Sequence, residues 1–100
     1  MTPEQLAQAK KAMALQDQVA ETARQLKQKY VEASGDLVCC RVSLALEVLW
    51  IAPTSLGREK GMDMMMRELQ VILNTAISAA KQQAEAEMAQ VIGGLSVDLG

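Results

Sequence analysis

From Glu4 to Lys29 the chain contains neither glycine nor proline, and its apolar residues return every three or four positions. A span of that kind is committed to the α-helix, because a period near 3.6 gathers such positions onto one face. Thr2-Pro3-Glu4-Gln5 supplies the start, with threonine as N-cap, proline at the first helical position and Gln5 placed to close a capping box. Leu15, Val19, Thr22, Leu26 and Tyr30 make one stripe, and Leu6, Ala9, Met13, Ala20 and Ala23 a neighbouring one. The predicted helix has about 28 residues and is about 42 Å long. It cannot bury its stripe against a small hairpin alone, so the pattern predicts contact with a second chain.

The same period returns after Thr54-Ser55-Leu56-Gly57. Met62, Met65, Met66, Leu69, Ile72, Leu73, Ala76, Ile77, Ala80, Ala84, Met88 and Val91 follow helical spacing, with Asp63, Arg67, Gln70, Asn74, Lys81 and Glu85 mostly opposite. Asp63 with Arg67 and Lys81 with Glu85 stand four apart as helpful ion pairs. Gly93-Gly94 is the expected stop. One domain over 1–95 and a flexible tail over 96–100 follow from that reading.

Between the helices the period changes. Ser34-Gly35-Asp36 breaks the helical pattern, β-branched and bulky apolar residues crowd the chain to Ile51, and Pro53 closes the stretch. With Ser43, Leu44 and Ala45 as a loop, Val42 faces Leu46, Arg41 faces Glu47, Cys40 faces Val48, Cys39 faces Leu49 and Val38 faces Trp50. Val38, Cys40, Val42, Leu46, Val48 and Trp50 then share one apolar face, while Leu37, Cys39, Leu49 and Ile51 share the other. Both faces call for cover, one by helices and one by a second subunit. The fold class is α+β: long helix, short antiparallel sheet of two to three strands, long helix.

Half of the 100 residues are apolar, enough for one core, but only Tyr30 and Trp50 are aromatic. The opening MTPEQLAQAKK lacks a basic segment followed by an apolar one, and Val42 to Pro53 falls short of the roughly 20 residues that span a bilayer. A cytoplasmic protein without a membrane partner is expected, with reduced thiols.

The chain has no histidine, which removes Ser/His and Cys/His nucleophilic catalysis. It has no P-loop or GxGxxG stretch either. No enzyme activity, cofactor or small-molecule substrate is expected. Cys39 and Cys40, adjacent on a strand, point to opposite faces and do not share a metal ion. The run Met62-Asp63-Met64-Met65-Met66 could supply thioethers to Cu(I), but its spacing places Met62, Met65 and Met66 on the buried stripe as filler. No metal site is expected.

Binding to a polyanion remains. Lys10, Lys11, Arg24, Lys27 and Lys29 all lie on the first helix, and a dimer presents each twice. Asp17 and Glu21 fall on the side of Lys10 and Arg24 and interrupt a continuous stripe. Ten basic against twelve acidic residues give a net charge of −2, not the usual footprint of a nucleic-acid binder.

The order helix, Ser-Gly-Asp-Leu-Val, a V-x-C-x-V strand, a second strand ending W-I-A-P, and a long helix finishing M-A-x-V-x-G-G-L resembles the YbaB/EbfC family of bacterial nucleoid-associated proteins. The resemblance runs from about Gln5 to Leu95. That family typically has an Asn-Gly turn and a strand ending I-D-P, where this chain has a shorter hairpin and Ala52 before Pro53. The resemblance implies an α-β-β-β-α protomer with a short strand near Val31 to Ser34. It also implies an intertwined homodimer that binds duplex DNA at the nucleoid, with a role in nucleoid organisation or gene regulation. The DNA-contacting residues would be Lys10, Lys11, Arg24, Lys27 and Lys29. The alternative is a non-enzymatic protein-interaction dimer of the same fold that has lost DNA binding.

Overall fold

A helix, three strands and two further helices follow one another in a computed structural model that describes residues 2–99, and the side chains of residues 2–93. They are α1 (Pro3–Leu26), β1 (Tyr30–Ser34), β2 (Val38–Ser43), β3 (Val48–Pro53), α2 (Ser55–Lys60) and α3 (Met62–Leu99). The strands form one antiparallel sheet in the order β1-β2-β3, so the chain is α+β as its pattern predicts.

The capping box closes as expected. Thr2 Oγ1 accepts the Gln5 backbone N–H at 3.2 Å, and Gln5 Oε1 accepts that of Thr2 at 3.1 Å. α1 stops at Leu26, about one turn before the expected end near Lys29, because the Lys29 carbonyl accepts the Leu44 N–H and β1 starts at Tyr30. α3 does not stop at Gly93-Gly94 but runs on to Leu99. Glycine inside a helix costs roughly 1 kcal/mol relative to alanine, which weakens a helix without ending it. Of the tail expected to be flexible over 96–100, residue 100 and all the side chains lie outside the described residues.

The hairpin differs from its expected register. Ser43 belongs to β2, so the connection runs over 44–47 and not 43–45; Leu44 and Ala45 turn there as expected, and Leu44 also sends its side chain into the core at 1 % exposure. Ser43 is buried and serves both strands: its N–H donates to the Glu47 carbonyl and its Oγ accepts the Glu47 N–H at 3.1 Å. Val42 pairs with Val48, and past an irregularity between Arg41 and Val42 the pairs become Arg41–Trp50, Cys40–Ile51, Cys39–Ala52 and Val38–Pro53. The extra residue of β3 at this bulge exchanges the two faces beyond it. Trp50 therefore lies on the Arg41 side and Ile51 on the Cys40 side. No glycine supplies the turn; Leu46 itself takes φ +65°.

α3 lies across the inner faces of β1 and β2, and α1 packs on α3. Leu26, Cys40, Val42, Leu44, Ala76 and Ala80 are the buried core, with Val31, Ala33, Ile72, Leu73, Ile77, Ala84 and Met88 packed around it. Alanine at 76 and 80 lets α3 approach the sheet closely. The stripe Leu15, Val19, Thr22 and Leu26 is the less exposed side of α1, as its spacing predicts, while residues 3–14 are exposed throughout. At the other end of the pattern the expectation fails: Met62 and Met66 are 69 % and 58 % exposed, not buried filler.

The molecule measures 70 × 18 × 15 Å, with a radius of gyration of 20.0 Å. A compact domain of this length has about 13 Å. The helices thus extend well beyond the sheet.

Candidate functional site

The structure divides the five candidate cations. Lys10 and Lys11 lie on the exposed first half of α1; Arg24, Lys27 and Lys29 gather at its far end. Lys11 and Lys27 are 16 residues apart, or about 24 Å along a helical rise. Arg24 pairs with Glu21 one turn earlier on the same helix, and Lys29 Nζ meets Glu87 Oε1 of α3 at 2.7 Å. A shallow polar groove of about 280 Å³, lined by Thr22, Gln25, Lys29, Glu87, Gln90 and Val91, runs along this contact. Lys10, Lys11 and Lys27 have no ion-pair partner among the described residues. The expected pairs Asp63–Arg67 and Lys81–Glu85 do not form.

A further cation stands on the outer face of the sheet and is fully engaged. Arg41 pairs with Glu32 of β1, its cross-strand neighbour, not with Glu47. Its Nε donates to Glu32 Oε1 at 2.8 Å. The guanidinium carbon lies 3.9 Å from the Tyr30 ring centroid and 5.5 Å from that of Trp50. Both aromatics of the chain therefore serve one arginine, a cross-strand arrangement that steadies the sheet.

The strand β3 has four consecutive exposed apolar residues. Val48, Leu49, Trp50 and Ile51 are 43 %, 46 %, 38 % and 45 % exposed, on both faces of an edge strand without a charged residue. Beside its inner face Met62, Met65 and Met66 continue the apolar surface. Soluble chains protect an edge of this kind with charge, proline or cover. β1, the opposite edge, has Glu32.

One carboxylate organises the end of the sheet where β1, β2 and α3 meet. Glu68 Oε1 accepts the Asp36 N–H at 2.9 Å, and Oε2 accepts those of Leu37 at 2.6 Å and Val38 at 3.0 Å. A Cβ at Gly35 would collide with this carboxylate, and one at Gly57 with the Leu37 carbonyl oxygen. The same carbonyl accepts the Thr54 N–H at 2.9 Å, while Thr54 Oγ1 donates to Asp36 at 2.6 Å and caps α2 through Gly57. Glu68, α2 and this knot are not legible in the sequence pattern. The S/T-x-x pattern at Thr54 was the one available signal for the cap; nothing local distinguishes Glu68 from a solvated helix residue.

Cys39 and Cys40 are free thiols on opposite faces, as strand alternation predicts. Cys39 Sγ donates to the Ala52 carbonyl at 3.5 Å. Burial pushes the Cys40 thiol above its ordinary pKa, against a lowering backbone hydrogen bond at Ala33 and with a smaller raising contribution from Cys39. Among the described residues no group of three or more His, Cys, Asp or Glu is placed to hold a metal ion, and no helix is long and apolar enough to cross a membrane.

Compared with family models, curated proteins and solved structures, the chain matches none.

Proposed function

We propose that the chain acts as a non-enzymatic homodimer, paired through the apolar surface of β3, and that the dimer binds duplex DNA through backbone phosphates. The observation that carries the pairing is the uncharged edge strand Val48–Pro53, exposed on both faces of a thin, extended protomer. A two-fold contact sets this surface against its own copy and leaves no like charges opposed. The reading of DNA as the ligand rests on Lys10 and Lys11 of α1 and Lys27 at its C-cap, exposed and unpaired, and on the YbaB/EbfC resemblance. Their spacing of about 24 Å along α1 corresponds to about seven base pairs of duplex at 3.4 Å each. A cytoplasmic place at the nucleoid, in its organisation or in gene regulation, belongs to the same proposal.

The three unpaired candidate lysines, Lys10, Lys11 and Lys27, give six phosphate contacts per dimer, hence a slope of about −5 in log affinity against log salt. The test is a gel shift on duplex DNA across salt concentrations, with light scattering on the same samples. A dimer that shifts DNA with that slope supports the proposal. No shift at ~50 mM salt with micromolar dimer refutes DNA binding, and a monomer mass at micromolar concentration refutes pairing.

The ion pairs Arg24–Glu21 and Lys29–Glu87 favour a second reading, in which the same dimer binds protein and not DNA. A stable dimer without a gel shift is its signature.

A further inference from the structure

Four of the five residues from Met62 to Met66 are methionine, and they open α3 beside β3. Met62, Met64 and Met66 are 69 %, 49 % and 58 % exposed, while Met65 and Met88 are half-buried. Met62, Met65 and Met66 line, together with Val38, Ile51 and Leu69, an apolar cavity of about 150 Å³ that opens next to the exposed strand and has no charged residue in its wall. A thioether fills such a surface as well as leucine does, but it alone can be made polar and later restored.

We propose that Met62 and Met66 are an oxidation site that controls pairing of the protomers. The inference rests on the homodimer reading above, with a second copy as the occupant of this surface. Hydrogen peroxide is the oxidant. The sulfur lone pair attacks one peroxide oxygen, an S–O bond forms as the O–O bond breaks, and the other oxygen leaves as water after proton transfer. Sulfur is oxidised by two electrons and the peroxide is reduced.

The protomer is the species that reacts, since the side chains of Met62 and Met66 both stand exposed to solvent there; Met64 is exposed as well but does not line the surface beside β3. Pairing and oxidation then compete for one surface. A sulfoxide oxygen is a strong acceptor, and the Met-lined cavity offers it no donor side chain. Re-forming the apolar contact would bury that oxygen unsatisfied. A two-fold dimer of oxidised protomers holds such a group twice, so at least tenfold weaker dimerisation is expected.

The experiment treats the full chain with hydrogen peroxide, maps the sulfoxides by peptide mass spectrometry, and measures the dimer dissociation constant by sedimentation before and after. Met62, Met64 and Met66 are expected to oxidise well before Met65 and Met88, and the dissociation constant to rise at least tenfold. Met13 is 63 % exposed on α1 and oxidises too, and Cys39 reacts as a thiol. The variant Met62→Leu/Met66→Leu keeps both, Met64 and the apolar volume, so its dimer is expected to persist through peroxide treatment. Circular dichroism of that variant confirms that it folds. A peroxide-sensitive variant dimer moves the effect to Met13, Met64 or Cys39 and overturns the assignment. Oxidised wild-type protein with an unchanged dissociation constant overturns it as well. A monomer before any peroxide is added overturns the homodimer reading itself, a separate outcome read in the untreated sample.

Discussion

Replacing Glu68 by alanine removes the acceptor of three backbone N–H groups at once. Asp36 is exposed, and its N–H regains water at small cost. Leu37 and Val38 are only 9 % and 3 % exposed, and their N–H groups lose a charged partner that no other acceptor replaces. A buried donor left unsatisfied costs about 1–3 kcal/mol. Water entering the space vacated by the carboxylate returns part of it, so the lower half of that range applies to each, for about 2–3 kcal/mol in total. Glu68→Gln keeps one carbonyl oxygen, which can take the Oε2 position and retain Leu37 and Val38. Its amide then faces Asp36, and about 1 kcal/mol is expected. Urea unfolding at 25 °C and fixed protein concentration, followed by far-UV circular dichroism, gives both numbers by linear extrapolation. The alanine variant should also melt roughly 10–20 °C lower. An alanine cost below about 1 kcal/mol, or a glutamine cost equal to it, would refute the view that these hydrogen bonds join the β1–β2 turn to α3.

Other consequences can be checked in parallel. Gly57→Ala places a Cβ against the Leu37 carbonyl oxygen, a backbone atom that cannot step aside, and should cost at least about 2 kcal/mol in the same unfolding assay. Leu46→Gly should gain about 0.5 kcal/mol, because relief of the left-handed backbone at φ +65° exceeds the entropy cost of glycine for a side chain 46 % exposed. The raised Cys40 pKa means that the folded state holds its thiol proton more tightly than the unfolded chain. Its stabilising contribution is complete below the ordinary value of 9.0 and falls as pH rises beyond it. Wild type should therefore lose more stability than Cys40→Ala between pH 8 and pH 10.5, and a thiol reagent should label Cys39 long before Cys40. Lys10→Ala/Lys11→Ala/Lys27→Ala should abolish the gel shift at salt where Arg24→Ala/Lys29→Ala still binds; equal loss in both would argue against three free phosphate contacts.

The elements legible in the sequence were those fixed by local chemistry. Thr2 to Gln5 announced the start of α1, the spacing of Leu15, Val19, Thr22 and Leu26 gave its less exposed side, and alternation separated Cys39 from Cys40. What stayed hidden depends on partners distant in sequence. Leu44 is a turn residue as expected, yet its N–H donates to the Lys29 carbonyl and its side chain enters the core, which no local signal announces. The longer connection and the bulge together shift the register, and they bring Trp50 to Arg41. Hairpin spacing alone sets Arg41 opposite Glu47, whereas β1 places Glu32 directly across from it. Among the candidate cations, sequence could name all five but not the neutralisation of Lys29, whose partner lies 58 residues on. Helical spacing also overstated burial at Met62 and Met66, since a period assigns a face without saying how far a neighbouring layer extends.

The exposed first half of α1 has a thermodynamic consequence. Residues 3–14 bury no side chain, so their helix is held by the Thr2–Gln5 cap and its own backbone hydrogen bonds. An unsupported segment of that length is marginal in water and frays more as temperature rises. Lys10 and Lys11 stand on this segment, so any polyanion they grip must also hold a helix that would otherwise melt. Part of the ordering free energy is then charged to the encounter, and affinity at these lysines should fall with warming in step with the helix content of the free protein.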